Sequence, residues 1–111
     1  MIGQKNEKQI ELMRKAGSIV GKTLTLMRDS VRVGITTKEL DKIAFDYIVS
    51  QGATPSFLNY EGFPASICTS VNSVVVHGIP NDYALKDGDI IGVDVGACYK
   101  GYHGDAARTF M

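Results

Sequence analysis

Two aspartates near the end of the sequence occupy positions where apolar strand residues would be expected. Asp94 falls inside the run "IIGVDVGAC", and Asp105 directly follows Gly104. Aspartate is depleted in β-strands, so a role other than strand formation is indicated. Two carboxylates that meet on one face repel each other unless one is protonated or a cation binds between them. Such a pair suits a two-metal hydrolytic site; the alternative is that each aspartate caps a turn or faces water.

The segment between the two aspartates decides whether their side chains can meet. If Lys100-Gly101 forms a two-residue hairpin loop, Asp94 lies opposite Ala107 in an antiparallel pair. Asp105 is two residues from Ala107, so it shares a face with Asp94 as a diagonal neighbour, roughly 7–8 Å away at the backbone. A three-residue loop would place the two carboxylates on opposite faces, so the metal interpretation depends on this register.

A long amphipathic helix is predicted at the start of the chain, from about Glu7 to Arg28. Asn6 is its predicted N-cap. Apolar residues spaced by three and four positions form a single stripe along it: Ile10, Met13, Gly17, Val20, Leu24 and Met27.

A second amphipathic helix follows, introduced by the capping box Thr36-x-x-Glu39 and predicted to stop at Gly52. Its apolar stripe consists of Leu40, Ile43, Ala44, Tyr47 and Ile48.

The rest of the chain favours strands and turns. The stretch "ATPSFLNYEGFP" predicts a loop, "ASICTSV" and "SVVVHGI" predict short strands separated by Asn72, and "NDYALKDGD" predicts a turn. The last two strands flank Lys100-Gly101. Helices followed by strands indicate an α+β fold, with two amphipathic helices packed on one face of a mostly antiparallel sheet. We expect residues 1–111 to form a single domain.

The composition is that of a globular protein without a strong charge preference. Twelve basic and twelve acidic residues cancel, so nothing favours nucleic acid or an anionic membrane as a partner. The N-terminus does not resemble a signal peptide and no segment is long enough to cross a bilayer, which leads us to expect a cytoplasmic protein. Cys68 and Cys98, with no C-x-x-C spacing, are expected to be reduced and largely buried thiols.

Longer motifs identify a family. The stretches "EGFPASICTSVNSVVVHGIP" and "LKDGDIIGVDVGACYKGYHGDAARTF" closely resemble type I methionine aminopeptidase. The similarity extends back through "GITTKELDKIAFDYI" and "IELMRKAGSIV", so it covers nearly the whole chain. The resemblance implies the pita-bread fold, two divalent metal ions (Co, Mn, Fe or Zn) and peptides with an N-terminal methionine as substrates.

The same resemblance implies roles for individual residues. Asp94 and Asp105 match the family's two metal-ligating aspartates, and His77 matches the catalytic histidine that hydrogen-bonds the scissile amide. The residues that would line the methionine side-chain pocket are Phe57, Tyr60, Phe63 and Cys68. An aromatic and thiol pocket suits a flexible thioether, although ordinary core packing is the alternative for each. His103 shares the face of the two aspartates if the hairpin alternation holds; because the family does not use this position as a metal ligand, we expect it to lie beside the ligands or at the surface. Arg108 receives no role.

The resemblance also implies that the site is incomplete. Family members are about twice as long, and one further histidine and two glutamates complete the metal site from their C-terminal half. The sequence contains no glutamate after Asp94, and its final "ARTFM" looks like part of a strand. We therefore expect the N-terminal αβ half of the pita-bread catalytic domain, inactive or weakly active alone. Its uncovered sheet edge and face predict a two-fold homodimer.

Two other functions stay open at this level. The chain could be a folded but catalytically inactive half-domain that self-assembles. It could also belong to a proline-specific peptidase of the same fold, although the context "NSVVVHGIP" argues against this.

Overall fold

The chain forms two layers, a pair of helices and a four-stranded antiparallel sheet. The computed structural model describes residues 7–58, 65–72 and 78–111. In chain order the elements are α1 (Glu7–Ser30), α2 (Thr37–Ser50), β1 (Thr54–Pro55), β2 (Ile67–Val71), β3 (Ile91–Tyr99) and β4 (Tyr102–Phe110). The predicted order of helices followed by strands is confirmed.

Helix α1 forms where its spacing predicted it, but only part of the predicted stripe is buried. Ile10 and Met13 are 39% and 41% exposed, and burial begins at Ala16. The buried residues are Ala16, Ile19, Val20, Thr23, Leu24 and Met27. Burial begins where β4 comes close to the helix backbone, at Ala16 and Gly17.

Helix α2 begins and ends at the residues that the sequence indicated. The Glu39 backbone N–H donates to Thr36 Oγ1 at 3.0 Å, and the Thr36 N–H donates to Glu39 Oε1 at 3.0 Å, which is the predicted capping box. The first of these bonds satisfies a helix N–H that has no carbonyl partner within the helix. At the other end Gly52 adopts φ 78°, a conformation that favours glycine and terminates the helix.

The sheet is organised around β3, which runs through its centre. Strand β4 pairs with β3 along one side, while β2 and β1 share the other side. Strand β2 pairs with Ile91–Val95, and β1 pairs with Ala97 and Cys98. Strand β1 lies within the stretch predicted to be a loop, and Pro55 is tolerated there because β1 is a short edge strand.

The hairpin between β3 and β4 has the predicted register. Lys100 and Gly101 both have positive φ angles, 49° and 88°, as a two-residue hairpin loop of type I′ requires. Asp94 is paired with Ala107, and Asp105 is paired with Gly96. The prediction that the two aspartates share one face of the sheet is therefore confirmed at the level of the backbone.

The two faces of the sheet differ sharply in character. Ile91, Val93, Val95 and Ala97 of β3 point to one side and belong to the buried core, together with apolar residues of α1 and α2. The alternate residues form the opposite side, which we call the carboxylate face: Cys68, Ser70, Gly92, Asp94, Gly96, Cys98, His103, Asp105, Ala107 and Thr109. The described helices thus lie on the core side of the sheet, opposite the carboxylate face.

Some sequence predictions fall outside the described residues. These are the N-cap at Asn6 and the strand at residues 73–77. Among the residues that are described, neither helix combines the length and apolar character that crossing a membrane would need. Cys68 is buried, as predicted, whereas Cys98 is only partly buried.

Candidate metal site on the carboxylate face

The hairpin brings two carboxylates together on one face of the sheet. Asp94 is half-buried in the central strand, and Asp105 is exposed on β4. The described residues of the carboxylate face include no lysine or arginine. Arg108 is paired with Val93 and therefore belongs to the other side of the sheet. Nothing described on this face therefore neutralises the two aspartates, and a divalent cation would.

Two carboxylates are a small donor set. Across residues 7–58, 65–72 and 78–111, no group of three or more histidine, cysteine, aspartate or glutamate side chains is arranged to hold a metal. A tight site for a hard divalent ion uses six to eight oxygen ligands for Ca²⁺, or about six with several waters for Mg²⁺. The described residues can therefore provide part of such a site.

Cys68 lies beside Asp94 on the carboxylate face. The two residues are directly paired across β2 and β3, and the thiol is buried, with only 4% of the residue exposed. Burial raises the pKa of the Cys68 thiol, and the negative charge of Asp94 raises this pKa further. The thiol form is therefore favoured over the thiolate, so Cys68 suits a wall of an apolar pocket better than a metal ligand.

Phe57 reaches the same face from β1. The chain leaves β1 at Ser56, whose N–H donates to the Gly96 carbonyl at 3.0 Å, and then crosses over Gly96. A β-carbon placed on Gly96 would lie 3.1 Å from Ser56 Cβ and 3.5 Å from Phe57 Cζ. Gly96 is two residues from Asp94 and is paired with Asp105. The Phe57 ring therefore lies over the carboxylate face near both aspartates.

Three of the residues assigned from the family resemblance, Tyr60, Phe63 and His77, lie outside the described residues. The chain on the C-terminal side of His77 is anchored, because the Thr69 N–H donates to the Gly78 carbonyl at 2.9 Å. Thr69 follows Cys68 in β2, so Gly78 is held one strand away from the central strand that carries Asp94.

Asp89 anchors the N-terminal side of the same segment. Its carboxylate accepts hydrogen bonds from the Asn72 side chain at 3.0 Å, the Tyr83 hydroxyl at 2.7 Å and the Lys86 N–H at 2.9 Å. The Lys86 N–H, followed by the two side chains, lowers the pKa of Asp89, while the bond to Asp89 raises the pKa of Tyr83. Asn72, at φ 56°, also exchanges hydrogen bonds with Ile90, so Asn72 and Gly78 are both held by hydrogen bonds.

Asp41 is a structural residue that the sequence analysis missed. Its Oδ1 accepts hydrogen bonds from the N–H groups of Ser66 at 2.7 Å and Ile67 at 3.0 Å, which joins α2 to the start of β2. Both donors belong to residues that are almost completely buried. Helical spacing could have indicated this role, because Asp41 lies three and seven residues before Ala44 and Ile48, on the edge of the buried stripe.

We expect Asp41→Ala to destabilise the chain by about 2 kcal/mol, because two buried N–H groups lose their acceptor. Asp41→Asn is the matched control, since both bonds go to one oxygen and the amide retains one. Urea unfolding followed by circular dichroism measures the difference. An alanine variant as stable as the wild type, or an asparagine variant as unstable as the alanine variant, would contradict this role.

The contribution of Asp41 to the stability of the fold should change with pH in a defined direction. Burial raises the pKa of Asp41, and this exceeds the opposite effect of the hydrogen bonds from Ser66 and Ile67. A raised carboxyl pKa stabilises the folded state below the pKa of the unfolded chain, and this contribution is lost as the pH rises through the folded-state value. The wild type should therefore gain stability relative to Asp41→Asn as the pH is lowered through that window. A free-energy difference that is constant with pH would contradict this.

Comparisons with known proteins agree with the resemblance seen in the sequence. The model of metallopeptidase family M24 matches residues 11–111. A methionine aminopeptidase of Clostridium perfringens is 60% identical over 110 residues, which cover 99% of this chain and 44% of the relative. The crystal structure of methionine aminopeptidase from Rickettsia prowazekii is 45% identical and superposes with a TM-score of 0.92, over 99% of this chain and 44% of that one.

A more distant solved structure shares the fold alone. Prolidase from Pyrococcus furiosus is 24% identical, with a TM-score of 0.83 over 96% of this chain and 30% of that one. These neighbours have the pita-bread fold, so the fold predicted from the sequence is confirmed. The chain spans less than half the length of each of these proteins.

Proposed function

Because the chain belongs to metallopeptidase family M24, we propose that it supplies one part of the active site of a metal-dependent methionine aminopeptidase. The observation that carries the proposal is the hairpin register, which sets Asp94 and Asp105 on one face of adjacent strands without a neutralising charge among the described residues of that face. The 60% identity to a methionine aminopeptidase supports the choice of substrate.

Asp94 and Asp105 are the residues that would hold divalent metal in this proposal. Their carboxylate oxygens are hard ligands that suit Mn²⁺, Co²⁺, Fe²⁺ or Zn²⁺, and the described part of the face offers no competing cation. Bound metal would polarise the scissile carbonyl and provide hydroxide at neutral pH. The two aspartates meet the chemical requirement for part of this site, and further ligands would come from outside the described residues.

The aromatic and thiol side chains would bind the methionine side chain. Phe57 lies over Gly96, and the buried Cys68 thiol is paired with Asp94, so both are close to the proposed metal position. Tyr60 and Phe63 would complete the pocket. Aromatic rings and a neutral sulfur favour a thioether through polarisable contacts, and they would leave the substrate's amino group near the carboxylates.

His77 would hydrogen-bond the scissile amide and stabilise the developing charge of the transition state. The anchoring of Gly78 on β2 and of Asn72 by Asp89 and Ile90 supports this role, because a group that acts on the substrate must be held firmly. Neither anchor involves Asp94 or Asp105.

Hydrolysis of Met-Ala-Ser in the presence of Mn²⁺ or Co²⁺ tests the proposed activity. The assay compares the chain alone with the chain joined to the C-terminal half of a relative, and it uses Leu-Ala-Ser as the control peptide. We expect metal-dependent release of methionine only when both halves are present, with loss of activity in His77→Ala. Activity that survives chelation, or equal cleavage of both peptides, would refute it.

A second candidate is a folded half-domain that acts through self-assembly. Strand β4 pairs only with β3 among the described residues, and its residues Asp105 to Thr109 are exposed, which leaves an edge that another strand can pair with. We propose a two-fold homodimer through this edge and the carboxylate face. Size-exclusion chromatography with light scattering should give twice the mass of the 12.0 kDa chain, and a stable monomer would exclude the dimer.

A further inference from the structure

A hydrogen bond between Ser56 and His103 on the carboxylate face takes no part in the proposed chemistry. The Ser56 hydroxyl and His103 Nδ1 are 3.0 Å apart, and either group can donate, depending on the tautomer of the ring. Ser56 follows β1 at one side of the sheet, while His103 lies on β4 at the other side. The bond therefore spans the central strand β3.

Ser56 makes two hydrogen bonds where the chain crosses β3. The Ser56 N–H is bonded to the carbonyl of Gly96 on β3, and the Ser56 side chain is bonded to His103 on β4. The crossing is close: a β-carbon on Gly96 would lie 3.1 Å from Ser56 Cβ. Glycine at position 96 thus makes room for the segment, and His103 fixes the far end of its side chain.

The position of Phe57 depends on this crossing. Its Cζ lies within van der Waals distance of the Gly96 β-position, on the face that carries Asp94 and Asp105. Phe57 directly follows Ser56, so a rotation of the Ser56 backbone would swing the ring along the face. One backbone bond fixes a point but leaves such a rotation possible, whereas a second bond from the side chain removes it.

From these contacts we infer that His103 is a positioning residue, which fixes Phe57 against the carboxylate face through its hydrogen bond to Ser56. The inference rests on the proposed function in assigning Phe57 to the wall of the methionine pocket. It gives His103 a role that needs neither a metal bond nor a proton transfer. The imidazole acts as a fixed hydrogen-bonding partner, and the ring of Phe57 is what it places.

The contact between the Phe57 ring and the Gly96 α-protons can be measured directly by nuclear Overhauser effects in the 111-residue chain, without metal or peptide. His103→Ala and Ser56→Ala should each reduce this nuclear Overhauser effect at least twofold. The double variant should not reduce it further, because the two substitutions remove the same hydrogen bond. His103→Asn should restore it, since its amide occupies the position of Nδ1. His103→Gln, with its amide near the position of Nε2, should not.

The nuclear Overhauser effects between Val95 and the helices serve as the internal control. This core contact lies on the other face of the sheet, so its signals should be equal in all variants. An undiminished Phe57–Gly96 effect in both alanine variants, or failure of His103→Asn to restore it, would overturn the inference. The result is separable from the activity assay. A His103-dependent contact in the chain, together with no cleavage of Met-Ala-Ser when the chain is joined to the C-terminal half of a relative, would support the positioning role and refute the proposed function.

Discussion

Gly104→Val is expected to destabilise the chain by about 3 kcal/mol, the upper end of what overpacking usually costs. Gly104 lies on β4 against α1, and a β-carbon there would be 3.1 Å from the Gly17 nitrogen and 3.2 Å from the Ala16 carbonyl carbon. These are backbone atoms, which cannot rotate away as a side chain could. The helix would have to move off the sheet and loosen the contacts of buried residues such as Ile19.

The control for this prediction is a second strand glycine. A β-carbon on Gly92 would meet its nearest atoms at 3.8 Å or more, an ordinary contact distance. Gly92→Ala should therefore be nearly neutral, while Gly104→Ala should fall between the wild type and Gly104→Val. Urea unfolding monitored by circular dichroism provides the free energies. A Gly104→Val variant within about 0.5 kcal/mol of the wild type, the range of an ordinary surface change, would contradict the close approach.

Asp94→Ala is expected to lower the affinity for Mn²⁺ or Co²⁺ by at least about 100-fold, since even the loss of an outer-shell partner costs 10- to 100-fold. The removed group is one of only two carboxylates on the face, so no other described residue there can replace it. Asp105→Ala should have a similar effect. Calorimetric titration of the metal into each variant measures the change.

Asp87→Asn is the matched control, because Asp87 is exposed in the turn before β3 and lies outside the carboxylate face. Its titration should be identical to that of the wild type. If Asp94→Ala bound metal as tightly as the wild type, the aspartate pair would not be a metal site in this chain.

Local sequence signals predicted the parts of the fold that depend on neighbouring residues. The loop Lys100-Gly101 indicated the β3–β4 register, because glycine in a two-residue loop allows the positive φ that the turn requires, and the structure decides against the three-residue alternative. The capping box at Thr36 and Glu39 likewise indicated where α2 begins. The face shared by Asp94 and Asp105 follows from that register alone, so the centre of the candidate site could be predicted from about a dozen residues.

Features that depend on distant residues could not be predicted in this way. The exposure of Ile10 and Met13 is an example, because the periodicity of α1 does not indicate which of its turns pack on the sheet. The bond between Ser56 and His103 joins residues 47 positions apart. Helical spacing places Asp41 beside the buried stripe but does not identify its hydrogen-bond donors, Ser66 and Ile67, which lie 25 and 26 residues further along the chain.

The most direct test of the central claim is to locate bound Mn²⁺ by its paramagnetic broadening of the nuclear magnetic resonance spectrum. Substoichiometric Mn²⁺ should first broaden the amide signals of Asp94, Gly96 and Asp105, while signals from Lys42 and Asp46 on the exposed surface of α2 persist. The selective broadening should disappear in Asp94→Ala. Broadening that begins on α2, spreads evenly over the chain or survives in Asp94→Ala would contradict a metal site on the carboxylate face.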